Sequence, residues 1–165
     1  YIRQGLELSP LIYGGKQERG LRPGTTSVEL IAAFARAVQT WSSDTIGKIS
    51  KIKQVAIGEL FRRFPEVVIN GEWEAEALCH ILSFTFPGFE SKLLHQRLAE
   101  LGVACSTGAA CGTGKSDRSA VLVALGRSQQ MAHHLRFSFS PTTSEADIFE
   151  SFERLDHVLH SIEKY

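Results

Sequence analysis

The sequence predicts an α+β fold: a small, mostly antiparallel sheet covered by helices and preceded by a linking helix. Three observations predict it. Short β-rich runs occur at 67–69, 79–86 and 135–139. Segments with apolar residues at helical intervals lie between and after them. Helices laid over one face of such a sheet are the economical way to bury both patterns. At 165 residues the chain is about one ordinary domain long, and a chain of that size buries roughly two-thirds of the surface it exposes when unfolded.

Residues 1–23 read as an irregular arm. Tyr1-Ile2-Arg3 has the composition of a strand, and Pro10, Gly14-Gly15, Gly20 and Pro23 then punctuate a turn-rich stretch around the charged knot Lys16-Gln17-Glu18-Arg19. Such a length without regular structure is uncommon inside a compact domain, which predicts a functional loop or a piece of something larger. The first helix begins at Thr26, whose hydroxyl stands three residues before Glu29 in the spacing of a capping box. Leu30, Ile31, Phe34, Val38 and Trp41 form its apolar stripe. A second helix is predicted over 44–64, with Ile49, Ile52, Val55, Ala56, Leu60 and Phe61 on one side and Pro65 as its stop.

Strands at 67–69 and 79–86 follow, the latter closed by Pro87-Gly88. A helix over 91–101 turns Leu93, Leu94, Leu98 and Leu101 inward. Residues 103–106 read as extended, 107–116 as a loop rich in Gly, Ser and Thr, and 119–125 as a short helix. Alternation predicts a strand over 135–139, and Ile148, Phe152, Leu155, Leu159 and Ile162 mark a final helix over 144–164.

Composition excludes several function classes. Eighteen basic and eighteen acidic side chains cancel, which removes the electrostatic footprint of a nucleic-acid binder. No apolar run approaches the length of a membrane-spanning helix. Cys79, Cys105 and Cys111 make an odd count with no C-x-x-C pair, so neither a disulfide framework nor a zinc ribbon is expected and the predicted setting is a reducing cytoplasm.

Three places could carry chemistry. Cys111 lies in Ser106-Thr107-Gly108-Ala109-Ala110-Cys111-Gly112-Thr113-Gly114. Small neighbours predict accessible backbone, which a thiolate nucleophile needs; a small buried hydrophobe is the competing reading, and the residues leave both open. Cys79 and Cys105, inside apolar runs, are read as packing residues. Arg136, within an alternating strand, could point to a cleft and hold a carboxylate through its bidentate fork, or could be a solvated strand residue. His133 and His134 before it point to opposite faces of a strand, so one metal ion could not use both. Arg22-Pro23-Gly24-Thr25-Thr26-Ser27 delivers hydroxyls and amides to a helix N-terminus, where an anion would be favoured, although a capping box accounts for the same residues.

Taken in order, these segments resemble one family. Gly14-Gly15-Lys16-Gln17-Glu18-Arg19-Gly20-Leu21-Arg22-Pro23-Gly24-Thr25-Thr26 is similar to the GG-x-QE-x-x-x-R-x-GT segment of the cysteine desulfurases of the class V aminotransferase family. Ser106-Thr107-Gly108-Ala109-Ala110-Cys111 resembles their S-x-G-S-A-C loop. Leu135-Arg136-Phe137-Ser138-Phe139-Ser140-Pro141-Thr142-Thr143-Ser144-Glu145 resembles their R-x-S-L-G…T-T-x-E-E block. The likeness spans essentially the whole chain and is nearest to the NifS-like and IscS-like branch.

The resemblance implies the small C-terminal domain of a fold-type I pyridoxal-phosphate enzyme that takes sulfur from L-cysteine and leaves L-alanine. It implies Cys111 as the thiolate that becomes a persulfide, Arg136 as the grip on the substrate carboxylate, and Thr25 as the hydroxyl reaching the cofactor phosphate of the other subunit of a homodimer. A sulfur-acceptor protein, in iron–sulfur cluster assembly or tRNA modification, is the partner it implies. No metal, nucleic acid or membrane enters that picture. Departures accompany it: Pro23 replaces a small residue, Ser140-Pro141 replaces Gly-Arg, and none of Lys16, Lys48, Lys51, Lys53, Lys92, Lys115 and Lys164 follows a His as the family's cofactor lysine does. The expectation is therefore the C-terminal segment of a larger enzyme, starting just after that lysine and inactive alone, with 1–25 a remnant of the cofactor domain and 26–165 the linking helix and small domain. A selenocysteine lyase or other class V enzyme, and a non-catalytic interaction domain on the same fold, are the alternatives.

Overall fold

A computed structural model describes residues 2–71, 77–107, 119–127 and 133–162 of the chain. Contacts divide it into two units, Tyr1–Ser42 and Ser43–Tyr165.

The first unit is an arm followed by helix α1, Val28–Gln39. Ile2 and Arg3 are not strand as their composition predicts. Gly5 adopts φ +84°, and the Leu6 amide donates to Arg3 O (3.2 Å), so the backbone turns where a strand would have to run on. Gln17–Gly20 forms a 3-10 turn with Glu18 and Arg19 in the left-handed region. The helix start also differs from expectation. Ser27, not Thr26, is the N-cap, and its side chain makes no cap hydrogen bond. Moving the cap by one residue puts Leu30 at the third helical position, and leucine cannot complete a capping box. The predicted apolar stripe is present, yet α1 buries none of it: Leu30, Ile31, Phe34 and Val38 are all more than half exposed.

The second unit carries the core. Helix α2, Ser43–Arg63, leads to strands β1 (Val68–Ile69) and β2 (Ile81–Thr85). Helix α3 (Ser91–Glu100) and the short α4 (Ala120–Ala124) precede β3 (His134–Ser138), and α5 (Glu145–Ser161) closes the fold. The three strands form an antiparallel sheet in the order β1-β2-β3. Strand β2 is shorter than the sequence suggests, because Cys79 and His80 lie in a turn. Residues 103–106 likewise make only one bridge, from Ser106 to Arg136.

Alternation along the strands sorts the two faces of the sheet. Leu82, Phe84 and Phe86 of the β2 run, with Leu135, Phe137 and Phe139 of the β3 run, are buried in one cluster with Ile49 and Leu60 of α2, Leu94 and Leu98 of α3, and Ile148, Phe152 and Leu155 of α5. Phe84 and Phe137 meet edge to face at 5.2 Å, and Phe137 stacks on Phe152 at 5.7 Å. The opposite face is largely polar, with Val68 and Ile81 at its margins. Asn70, Ser83, Thr85, His134 and Arg136 occupy it, and Asn70 Nδ2 donates to Ser83 Oγ (3.2 Å) and Thr85 Oγ1 (3.0 Å).

Local pairs trim the helices. Ser144 and Asp147 complete a capping box at the start of α5. Near the end of α2, buried Glu59 accepts from Arg62 Nε (2.8 Å) and from Arg63, and these hydrogen bonds hold its carboxyl down to about 2.

Two outcomes follow from this packing. Phe152→Ala should lower unfolding free energy by about 3–5 kcal/mol, the range for emptying a buried aromatic site. Phe149→Ala, on the exposed side of the same helix, should change it by less than about 0.5 kcal/mol; urea titration distinguishes the two. Because the folded carboxyl of Glu59 ionises far below an unfolded one, its contribution is complete above the ordinary carboxylate range and is lost as pH falls toward about 2. Glu59→Gln should therefore flatten the acid limb of a stability–pH profile measured between neutral pH and that point.

Candidate functional site

Arg136 sits centrally on β3, flanked in register by Ser83 of β2 and by Ser106 on the outer edge. Its neighbours Leu135 and Phe137 are locked into the core, so strand geometry turns the guanidinium to the polar face, where it is exposed. The backbone is tied at both groups: Arg136 N–H donates to Ser106 O (2.8 Å) and Ser106 N–H to Arg136 O (3.0 Å). Arg136 Nη2 also donates to Ser106 Oγ (3.4 Å). Among the described residues no carboxylate forms an ion pair with it. What remains is a cation whose fork is open, suited to a bidentate carboxylate.

Cys111 lies outside the described residues. The described residues on either side of it are Thr107 and Ser119, the latter buried and capping α4 by accepting from the Leu122 amide (3.4 Å). Cys111 is five residues along from Ser106, a covalent tether of at most about 18 Å. The two other cysteines behave as packing residues, both half-buried against the core. Burial pushes the Cys105 thiol up to about 11, which keeps it protonated and unreactive near neutrality. His133 Nδ1 donates to Phe89 O (2.8 Å) and His134 is buried in the strand.

In the first unit, Thr25 is exposed on a turn whose conformation the neighbouring motif residues impose. Gln17 Oε1 accepts from the Gly24 amide (3.3 Å), and Arg22 Nη1 donates to Gly24 O (3.3 Å) and Thr25 O (3.2 Å). Gly24 has φ +96°, a conformation that costs a side-chain-bearing residue strain. A Cβ at Gly15 would collide with the Gln17 side-chain amide. Glycines, glutamine and arginine of the motif thus act together on one short turn. Beyond it, the uncapped start of α1 leaves N–H groups of its first turn without intrahelical acceptors.

These groups fit the phosphate end of pyridoxal phosphate: a threonine hydroxyl, Ser27 free of capping, and an open helix N-terminus. They do not include the cofactor's lysine anchor. Lys53 is the buried lysine of α2, and its ammonium donates to Leu78 O (2.9 Å).

The sequence singles out Arg136, Cys111 and Thr25, and passes over Ser106, Gln17 and Arg22 as site-building residues. A serine in an extended run carries no period that marks it, and its role emerges only from the bridge across to Arg136. Gln17→Ala should strip the Gly24 amide of its acceptor; hydrogen exchange at that amide should then quicken several-fold while amides of the Ser43–Tyr165 unit keep their rates.

Known proteins resemble this chain over nearly its whole length. The chain is 35% identical over 154 residues to a mitosomal cysteine desulfurase of Encephalitozoon cuniculi, covering 90% of this chain and 35% of that one. It is 32% identical over 164 residues to the cysteine desulfurase IscS of Clostridium botulinum, covering 96% of this chain and 41% of the relative. Among solved structures, a NifS-like protein superposes with a TM-score of 0.79 at 28% identity, over 98% of this chain and 42% of that one. A NifS-like protein of Rickettsia africae gives 0.75 at 26%, over 94% and 41%. The chain therefore spans about two-fifths of the length of these relatives. The model of the family described as aminotransferase class V matches residues 7–150, which takes in the Gln17–Arg22 turn, the Cys111 segment and Arg136, and the chain belongs to that family.

Proposed function

We propose that this chain works as the C-terminal part of a pyridoxal-phosphate-dependent cysteine desulfurase, converting L-cysteine to L-alanine and leaving the sulfur as a persulfide on Cys111. One observation carries the reading. Arg136, with no carboxylate partner among the described residues, is hydrogen-bonded at both backbone groups to Ser106, the residue from which the Cys111 segment departs. A carboxylate clamp and a thiol are thereby tethered to the same rung of the sheet, in a chain similar over nearly its whole length to proteins named cysteine desulfurases.

In this reading the guanidinium of Arg136 takes the substrate carboxylate through two parallel N–H···O bonds, which fixes position and orientation together. The Cys111 thiolate attacks the substrate sulfur. A sulfur–sulfur bond forms, the carbon–sulfur bond breaks, and the electron pair left on carbon ends in the C–H bond of alanine once a proton is added. The thiol and L-cysteine thus become a persulfide and L-alanine with atoms and electrons in balance. Pyridoxal phosphate, when bound, supplies the electron sink for the breaking bond. Thr25 holds its phosphate from across a homodimer, with residues 1–25 part of the cofactor domain and 26–165 the linking helix and small domain. The lysine anchor belongs to another part of the enzyme, so the chain alone is inactive. A reducing cytoplasm, which keeps Cys111 a free thiol, and a sulfur-accepting protein complete the proposal.

The test uses the full-length protein. Cys111→Ser should abolish alanine formation from L-cysteine and remove the persulfide seen by mass spectrometry. Arg136→Ala should raise KM for L-cysteine by about tenfold to a hundredfold, as loss of a charge-assisted pair requires. Full turnover by the Cys111→Ser protein, a preference of the full-length protein for selenocysteine over cysteine, or consumption of neither would replace this reading.

A further inference from the structure

We propose that Ser106 is a positioning residue for the substrate carboxylate, acting through Arg136; this rests on the reading of Arg136 given above. An exposed arginine on a strand samples many rotamers, and a carboxylate bound by a fork requires one of them. Three serines surround Arg136 on the polar face. Ser83, directly opposite on β2, has its Oγ engaged by Asn70 Nδ2 (3.2 Å). Ser138 lies two residues along the same strand and is exposed. Ser106 alone, among the described residues, puts a hydroxyl within hydrogen-bond distance of the guanidinium, with Nη2 donating to its Oγ at 3.4 Å.

The geometry suits steering better than capture. At 3.4 Å the bond is long beside the usual charge-assisted distance of about 2.7–2.9 Å. It takes one of the five N–H donors of the fork and leaves the others for a carboxylate. The backbone of Ser106 is fixed independently, by the two hydrogen bonds to Arg136 N–H and O. Removal of the hydroxyl therefore leaves the start of the Cys111 segment in register and frees only the guanidinium. Ser106 sets substrate affinity in this arrangement and does not enter the sulfur chemistry.

The experiment compares Ser106→Ala, Ser106→Thr, Arg136→Ala and the Ser106→Ala/Arg136→Ala double variant in the full-length protein. Calorimetry measures binding of L-alanine and of its carboxamide, which lacks the carboxylate, and steady-state kinetics give KM and kcat for L-cysteine. Ser106→Ala should weaken L-alanine binding and raise KM by about fivefold, the scale of an ordinary net hydrogen bond, as suits one this long. Affinity for the carboxamide should stay the same, and kcat should hold within about twofold. Ser106→Thr should restore both values, and Ser106→Ala should cost nothing further once Arg136 is alanine. Equal weakening of alanine and its carboxamide, unchanged alanine binding, or an added loss in the Arg136→Ala background would each overturn the proposal. Wild-type protein that binds L-alanine no better than the carboxamide would overturn the reading of Arg136, and this inference with it.

Discussion

The reciprocal backbone hydrogen bonds between Ser106 and Arg136 join what are otherwise two separate stretches of chain. Among the described residues this is the one bridge between the run at 103–106 and β3, at the residue five positions before Cys111. The rung is only as fixed as β3 itself. That strand is fixed by five register pairs to β2 and by Leu135, Phe137 and Phe139 in the core. Precision at the polar face is therefore inherited from apolar packing on the other. The Phe84, Phe137 and Phe152 cluster contributes to the site without touching it.

Much of this was legible in the sequence where one physical signal dominated. The alternation Leu135-Arg136-Phe137-Ser138-Phe139 predicts both the strand and the outward arginine, because a period of two admits no other arrangement once Leu and Phe are buried. Helices α2 and α5 fall close to their expected ends because apolar stripes and stop signals agree there. The misreadings arise where local cues compete. Thr26 and Glu29 have the spacing of a capping box, but that spacing cannot say which of two adjacent hydroxyl residues ends the turn; the structure chooses Ser27 and leaves the box unmade. Ile2-Arg3 has strand composition, yet a strand needs a partner and the turn at Gly5 removes the length to find one. The bridge at Ser106 is a contact across thirty residues, and no local pattern encodes it.

The arm shows why a motif can be specific without containing reactive groups. Gln17 and Arg22 spend their side chains on the backbone of Gly24 and Thr25. Glu18 and Arg19 between them hold left-handed backbone conformations that L-residues seldom adopt. Strain of this kind persists only when surrounding contacts over-determine it. What these contacts fix is a backbone path that brings one hydroxyl, Thr25, to an uncapped helix start. The same logic explains the tolerance for Pro23: it lies in the turn, and its ring packs where Gly14 has no side chain.

The open state of Arg136 follows from where it lies in the chain. The chain has eighteen cations and eighteen anions, and the arginine–glutamate pairs on its helices are local: Arg62 and Arg63 with Glu59, Arg97 with Glu100, Arg154 with Glu150, all three or four residues apart. A strand offers no such neighbour. The residues sharing a face with Arg136 are two positions away on its own strand, His134 and Ser138, and in register on either side, Ser83 and Ser106. None is acidic. Among the described residues the geometry of the sheet leaves its charge without an acidic partner, and serine hydroxyls lie where a carboxylate would have neutralised it. In the desulfurase reading proposed above, a carboxylate arriving there has no ion pair among the described residues to break, and so keeps the attraction that a pre-formed bridge would have consumed.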